Sequence, residues 1–197
     1  MKKALTIGEL LITLAIIGII AMLVLPDLMK DYHKKVYISK LKKSVETIEN
    51  AVQQASADND VSYFYQTQYV MHSGQLQNFI NNYFRAVPGS ADGKSFASSY
   101  SSLSGQANTL SLDGYSIAQL TSGESIAMKC SLSLCEIYVD VNSTVAPNIG
   151  GRDIFYMKLN PKTNRIYDDS TASGCNSSAL GIGCVKKLLD DNWNMNY

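Results

Sequence analysis

The chain has 197 residues, of which 46% are hydrophobic, and its 17 Lys and Arg residues balance 17 Asp and Glu residues. This length suits one globular domain plus one long helix and argues against two large domains. A formal net charge of zero gives no bulk attraction to nucleic acid.

The first predicted element is an apolar helix. Residues 5–25 are apolar apart from Thr6, Glu9, Thr13 and interrupting glycines, and a helix of this length reaches about 30 Å, the thickness of a bilayer core. A secretory signal peptide would be shorter and would end at a small-x-small site. A plain membrane anchor explains the length but not Glu9, because a carboxylate at mid-membrane costs about 2.5–3.5 kcal/mol.

The stretch ALTIGELLITLAIIGIIAMLVLP resembles the class III signal and first helix of type IV pilins and type II secretion pseudopilins. When Glu9 is aligned with the family's glutamate, the cleavage site falls between Ala4 and Leu5, and Thr6 follows. Pro26 then takes the position of the family's helix-kinking proline. Ala4 stands where the family usually has glycine, and Leu5 where it usually has phenylalanine.

This resemblance implies an assembly function. A prepilin peptidase would remove the leader peptide, residues 1–4, and methylate Leu5. Glu9 would neutralise the terminal amine of a neighbouring subunit, which makes a buried charge tolerable. The implied partners are the peptidase, other pilin or pseudopilin subunits, the inner-membrane assembly machinery and, before assembly, membrane lipid.

The resemblance also implies a location. The chain would cross the cytoplasmic (inner) membrane once, with its head outside the cytoplasm, and would then enter an envelope or surface filament. Lysines flank the apolar segment on both sides, so the positive-inside rule leaves the orientation open.

A helical pattern resumes beyond Pro26. Apolar residues follow spacings of three and four: Ile38, Leu41, Val45, Ile48, Val52 and Ala55. The pattern predicts one helix over about 5–57, bent near Pro26, with a transmembrane or filament-core part at 5–26 and an amphipathic part at 27–57. The stripe would carry a globular head, 58–197; a short coiled coil is the alternative.

The sequence predicts an α+β fold for the head. A short helix is predicted over 75–84, followed by a loop rich in Ser, Gly and Ala over 89–105. Strand patterns then follow at 110–112, 115–120, 125–130, 135–141, 153–159 and 165–167. The prediction is a long N-terminal helix packed on a small antiparallel sheet, which is also the layout of the pilin family.

Four cysteines occur, at Cys130, Cys135, Cys175 and Cys184. An even number behind a membrane signal favours two disulfides in an exported domain. Three connectivities are open, and Cys130–Cys135 with Cys175–Cys184 needs the fewest assumptions. Free buried thiols are the alternative.

The segment DVNSTVAPNIGGRDIF contains a candidate cation site. Its oxygen-bearing side chains, Asp140, Asn142, Asn148 and Asp153, are of the type that calcium prefers, and the segment resembles a loop in the heads of some pilin-like proteins. An Asx-rich turn that fixes a strand connection is the simpler interpretation. No cofactor is therefore predicted, with calcium kept as a candidate.

Nothing in the sequence favours catalysis. Neither His33 nor His72 has a cysteine or carboxylate at a spacing that would place it nearby, and there is no phosphate-binding glycine loop or G-x-S-x-G motif. The expected function is a structural subunit of a type IV pilus-like or type II secretion pseudopilus filament. The alternative is a singly anchored extracytoplasmic protein that binds a ligand or DNA and does not polymerise.

Overall fold

A computed structural model of the chain describes residues 6–72, 74–168, 175 and 180–197. The fold is α+β, as the sequence predicts: a long N-terminal helix precedes a small antiparallel sheet. The chain divides into two compact units, and the division falls between Val36 and Tyr37, inside the long helix.

Helix α1 runs over Ile7–Asp58 and has 52 residues. Pro26 lies inside it, where the missing N–H removes one hydrogen bond of the helix. The C-terminal half confirms the predicted stripe, because Ile38, Leu41 and Ile48 are buried and Val45 packs against the same core. Here the apolar face of the helix and one face of the sheet form the main core of the head.

The segment after α1 forms a second layer of short helices. Helix α2 spans Gln68–Met71 and helix α3 spans Leu76–Tyr83, so the helix predicted over 75–84 is present. The ring of Phe64, which precedes α2, packs against Phe79 of α3 with ring centroids 4.7 Å apart, and Phe79 packs against Tyr83 at 5.4 Å. Such contacts fix the short helices, which have too few turns to be stable alone.

Within the described residues seven strands follow, and each pairs antiparallel with its neighbour. They are β1 (Tyr100–Ser101), β2 (Ala107–Asn108), β3 (Ser116–Gln119), β4 (Ser125–Cys130), β5 (Cys135–Asp140), β6 (Ile154–Asn160) and β7 (Arg165–Tyr167). The first two form a ribbon, and the other five form a sheet in sequence order. The side of the sheet facing away from the main core carries a smaller cluster that includes Phe96, Tyr100 and Ile117.

Three features differ from the predictions. The strand predicted over 110–112 is wrong: this segment is not extended in a sheet, and Leu110 and Leu112 pack instead against the smaller cluster. The ribbon β1–β2 lies partly inside the predicted loop. It was not predicted, because strands of two residues are too short to show alternating apolar and polar residues. Helix α4, Cys184–Asp190, was not predicted, since seven residues give barely two turns of pattern.

The structure contains both sequence-local disulfides, Cys130–Cys135 and Cys175–Cys184. The first joins directly opposite residues of β4 and β5 at the end of their hairpin. The second holds the start of α4. Both crosslinks restrict the unfolded chain and therefore stabilise the head.

Candidate functional site

The N-terminal half of α1 exposes an unbroken apolar surface. Between Ile7 and Met29 its large hydrophobic side chains are roughly half exposed or more, from 48% for Val24 to 79% for Ile7. Soluble monomers rarely expose apolar patches larger than a few hundred Å². By its length and composition, the helix could cross a membrane.

Thr6 and Glu9 are brought together at the start of this segment. The backbone N–H and the hydroxyl of Thr6 both donate to Glu9 Oε2, each at 2.9 Å, and the Glu9 N–H donates to Thr6 Oγ1 at 3.3 Å. This reciprocal arrangement is a capping box, which satisfies the free N–H groups of a helix N-terminus.

The capping box gives Glu9 a second role, which is not among the roles predicted from the sequence. The sequence contains the pattern typical of a capping box, T-x-x-E directly before an apolar run. Both bonds from Thr6 use Oε2, and no residue that the structure describes donates to Oε1. Ala4 and Leu5 lie outside the described residues, so the cleavage site stays a prediction.

The loop between β5 and β6 brings together the candidate cation ligands. Asp140 is fully buried and accepts hydrogen bonds from the Tyr100 hydroxyl at 2.6 Å and the Asn142 N–H at 3.1 Å. Asp153, also fully buried, accepts from the backbone N–H groups of Asn148 and Ile149, both at 2.6 Å. These carboxylates therefore act as acceptors that fix the loop.

This donor set does not fit calcium. Each of the four carboxylate oxygens already accepts a hydrogen bond. Among the oxygens of these four candidate side chains, only those of Asn142 and Asn148 are buried without a partner, whereas calcium takes six to eight oxygens. Over the described parts of the chain, no group of three or more His, Cys, Asp or Glu side chains could hold a metal. The Asx-rich turn explains these residues.

The free energy of unfolding of the head is expected to fall as the pH rises through the range in which Asp140 and Asp153 lose their protons. Burial raises the pKa of Asp140 to about 7 and also raises the pKa of Asp153. Between these pKa values the folded state keeps protons that the unfolded state has released, and this proton binding favours the folded state. The free energy of unfolding therefore falls from about pH 4 to about pH 7. Each unit of difference between the folded and unfolded pKa corresponds to about 1.4 kcal/mol. Urea unfolding between pH 4 and 8 measures the slope.

Asp140→Asn should flatten that slope, whatever its effect on stability at one pH. Asp113→Asn is the matched control, because Asp113 is exposed and its replacement should leave the slope unchanged. The prediction would be contradicted if the free energy of unfolding of the wild type rose over this pH range and Asp140→Asn removed the rise. The ionised carboxylate would then be the stabilising form.

Comparison with known proteins gives no relative. No family model matches the chain, and neither the curated proteins nor the solved structures provide a match. The function is therefore inferred from the residues of this chain and from the resemblance of its N-terminal segment.

Proposed function

We propose that the chain is a structural, non-enzymatic subunit of a type IV pilus-like or type II secretion pseudopilus filament. The observation that carries the proposal is the division of α1. Its N-terminal half exposes apolar side chains, while its C-terminal half is part of the core of the head. One continuous helix thus links an element that needs apolar surroundings to a domain built around its own core.

The exposed half has two suitable surroundings. Before assembly, lipid would cover it, since residues 5–25 match the thickness of a bilayer. After assembly, the same side chains would pack against α1 of neighbouring subunits. Transfer between two apolar surroundings carries little hydrophobic cost, so the choice between them depends on specific polar contacts.

Glu9 is the specific contact that favours assembly. It is the only ionisable residue in 5–25, and a lone carboxylate in lipid is costly. A neighbouring subunit whose chain begins at Leu5 would present a positive amine. Glu9 Oε1, which receives no bond from a described residue, would accept from that amine while Oε2 keeps its bonds to Thr6.

The mature N-terminus tests this proposal. Mass spectrometry of the chain purified from membranes with its peptidase should find N-methylated Leu5 and no residues 1–4. Ala4→Gly should be processed at least as completely, because glycine is smaller still. Ala4→Leu should retain Met1, because a bulky side chain would not fit a pocket for small residues. An intact Met1 in the wild-type chain, or a cut after Ala21, would contradict the proposal.

A further inference from the structure

The five-stranded sheet has two edge strands, β3 and β7. An edge strand presents backbone N–H and C=O groups that can pair with a strand of another molecule, and proteins protect these groups to avoid association. The protection matters most for domains held close together at high local concentration.

At β3, one side chain takes the place of a neighbouring strand. Gln77 of helix α3 accepts the Ile117 N–H on its Oε1 at 3.0 Å and donates from its Nε2 to the Ile117 carbonyl at 3.0 Å. The amide thus satisfies both outward backbone groups of this residue, as a partner strand would.

The remaining outward groups of β3 are also bonded. The Gln119 N–H donates to Ser90 Oγ at 3.0 Å, and the Gln119 carbonyl accepts the Val87 N–H at 2.7 Å. The chain segment from α3 to the Ser90 turn therefore closes the whole edge.

At β7, a carboxylate has the corresponding role. Glu49 of α1 accepts the Ile166 N–H on Oε1 at 3.0 Å and the Arg165 guanidinium on Oε2 at 3.1 Å. The Glu49 side chain is 20% exposed. A partner strand that approached this N–H would have to displace the carboxylate.

We propose that Gln77 and Glu49 protect the two edges of the sheet and so prevent the sheets of neighbouring heads from pairing strand to strand. The inference concerns the head and stands apart from the filament proposal. If the chain also forms the proposed filament, this protection would limit contacts between copies to α1 and to side-chain surfaces. Of the two residues, Gln77 is the sharper test, because it satisfies a donor and an acceptor of one strand residue.

The test uses the full chain in detergent micelles. Gln77→Ala should speed hydrogen exchange of the Ile117 amide by about tenfold, the factor that corresponds to losing one net hydrogen bond of about 1.4 kcal/mol. It should also speed the appearance of thioflavin-positive aggregates several-fold over wild type. Asn78→Ala is the matched control, since Asn78 lies on the same helix and is exposed, and its side chain bonds to Gln75 and to no other described residue.

Gln77→Glu separates edge protection from folding. Its carboxylate can still accept the Ile117 N–H and places a charge at the edge, so it should aggregate as slowly as wild type. Equal aggregation of Gln77→Ala and Asn78→Ala, with faster exchange at Ile117 in the former, would overturn the proposal. Aggregation of Gln77→Ala and Gln77→Glu at the same raised rate would overturn it too, and would assign the effect to lost stability.

Discussion

Replacing Glu9 by alanine is expected to leave membrane insertion intact and to reduce incorporation into filaments at least tenfold. Insertion depends on the apolar run over 5–25, which the change leaves in place. In the proposed filament, incorporation would depend on pairing a buried amine, and removing one partner of a buried ion pair costs about 3–5 kcal/mol. Membrane fractionation measures insertion, and shearing or crosslinking of assembled subunits measures incorporation.

The capping box makes a second variant decisive. Glu9→Gln retains a side-chain acceptor for Thr6, because glutamine also serves in capping boxes, but it has no charge. If charge pairing is the role of Glu9, Glu9→Gln should fail to assemble like Glu9→Ala. Assembly of Glu9→Gln at the wild-type level would instead assign Glu9 to the helix cap. Thr13→Ala, in the same exposed segment, is the control and should assemble normally.

The second large effect is expected at Ile48. Its side chain is fully buried on the face of α1 that packs into the main core. Ile48→Ala removes three carbon atoms and leaves a cavity, so the free energy of unfolding of the head should fall by about 2–5 kcal/mol. Urea unfolding followed by the fluorescence of Trp193, the only tryptophan, measures this loss.

Glu46→Ala provides the control on the same helix. Glu46 is exposed, so its replacement should change the free energy of unfolding by less than about 0.5 kcal/mol. Similar losses for Ile48→Ala and Glu46→Ala would contradict the assignment of α1 to the core of the head. The Ile48→Ala variant should still insert in membranes, because residue 48 lies well outside the apolar segment.

These two predictions separate the two proposed roles of α1. Glu9 is tested by assembly without a change in the head, and Ile48 is tested by stability without a change in the anchor. A singly anchored protein that does not polymerise would still lose stability in Ile48→Ala. Its contacts between copies would be the same in wild type and in Glu9→Ala. The pair of experiments thus distinguishes the proposed filament subunit from its alternative.

The sequence by itself determined the elements that are encoded locally. The apolar run before Pro26 and the three-and-four spacing from Ile38 to Ala55 define α1, because helix burial has a fixed period. Alternation around short turns located the hairpins, and small separations in the chain favoured Cys130–Cys135 and Cys175–Cys184. The T-x-x-E pattern of Thr6 and Glu9 is also local, although the cap itself was not among the predictions.

Only the tertiary structure decided the contacts between distant residues. Gln77 meets Ile117 across 40 positions, Glu49 meets Ile166 across 117, and Tyr100 meets Asp140 across 40. A polar residue on a short helix has the same local pattern whether it faces water or closes a sheet edge. For the same reason, Asp140 and Asp153 suggested a cation site in the sequence. In the folded chain, the donors that surround them make them acceptors that fix a turn.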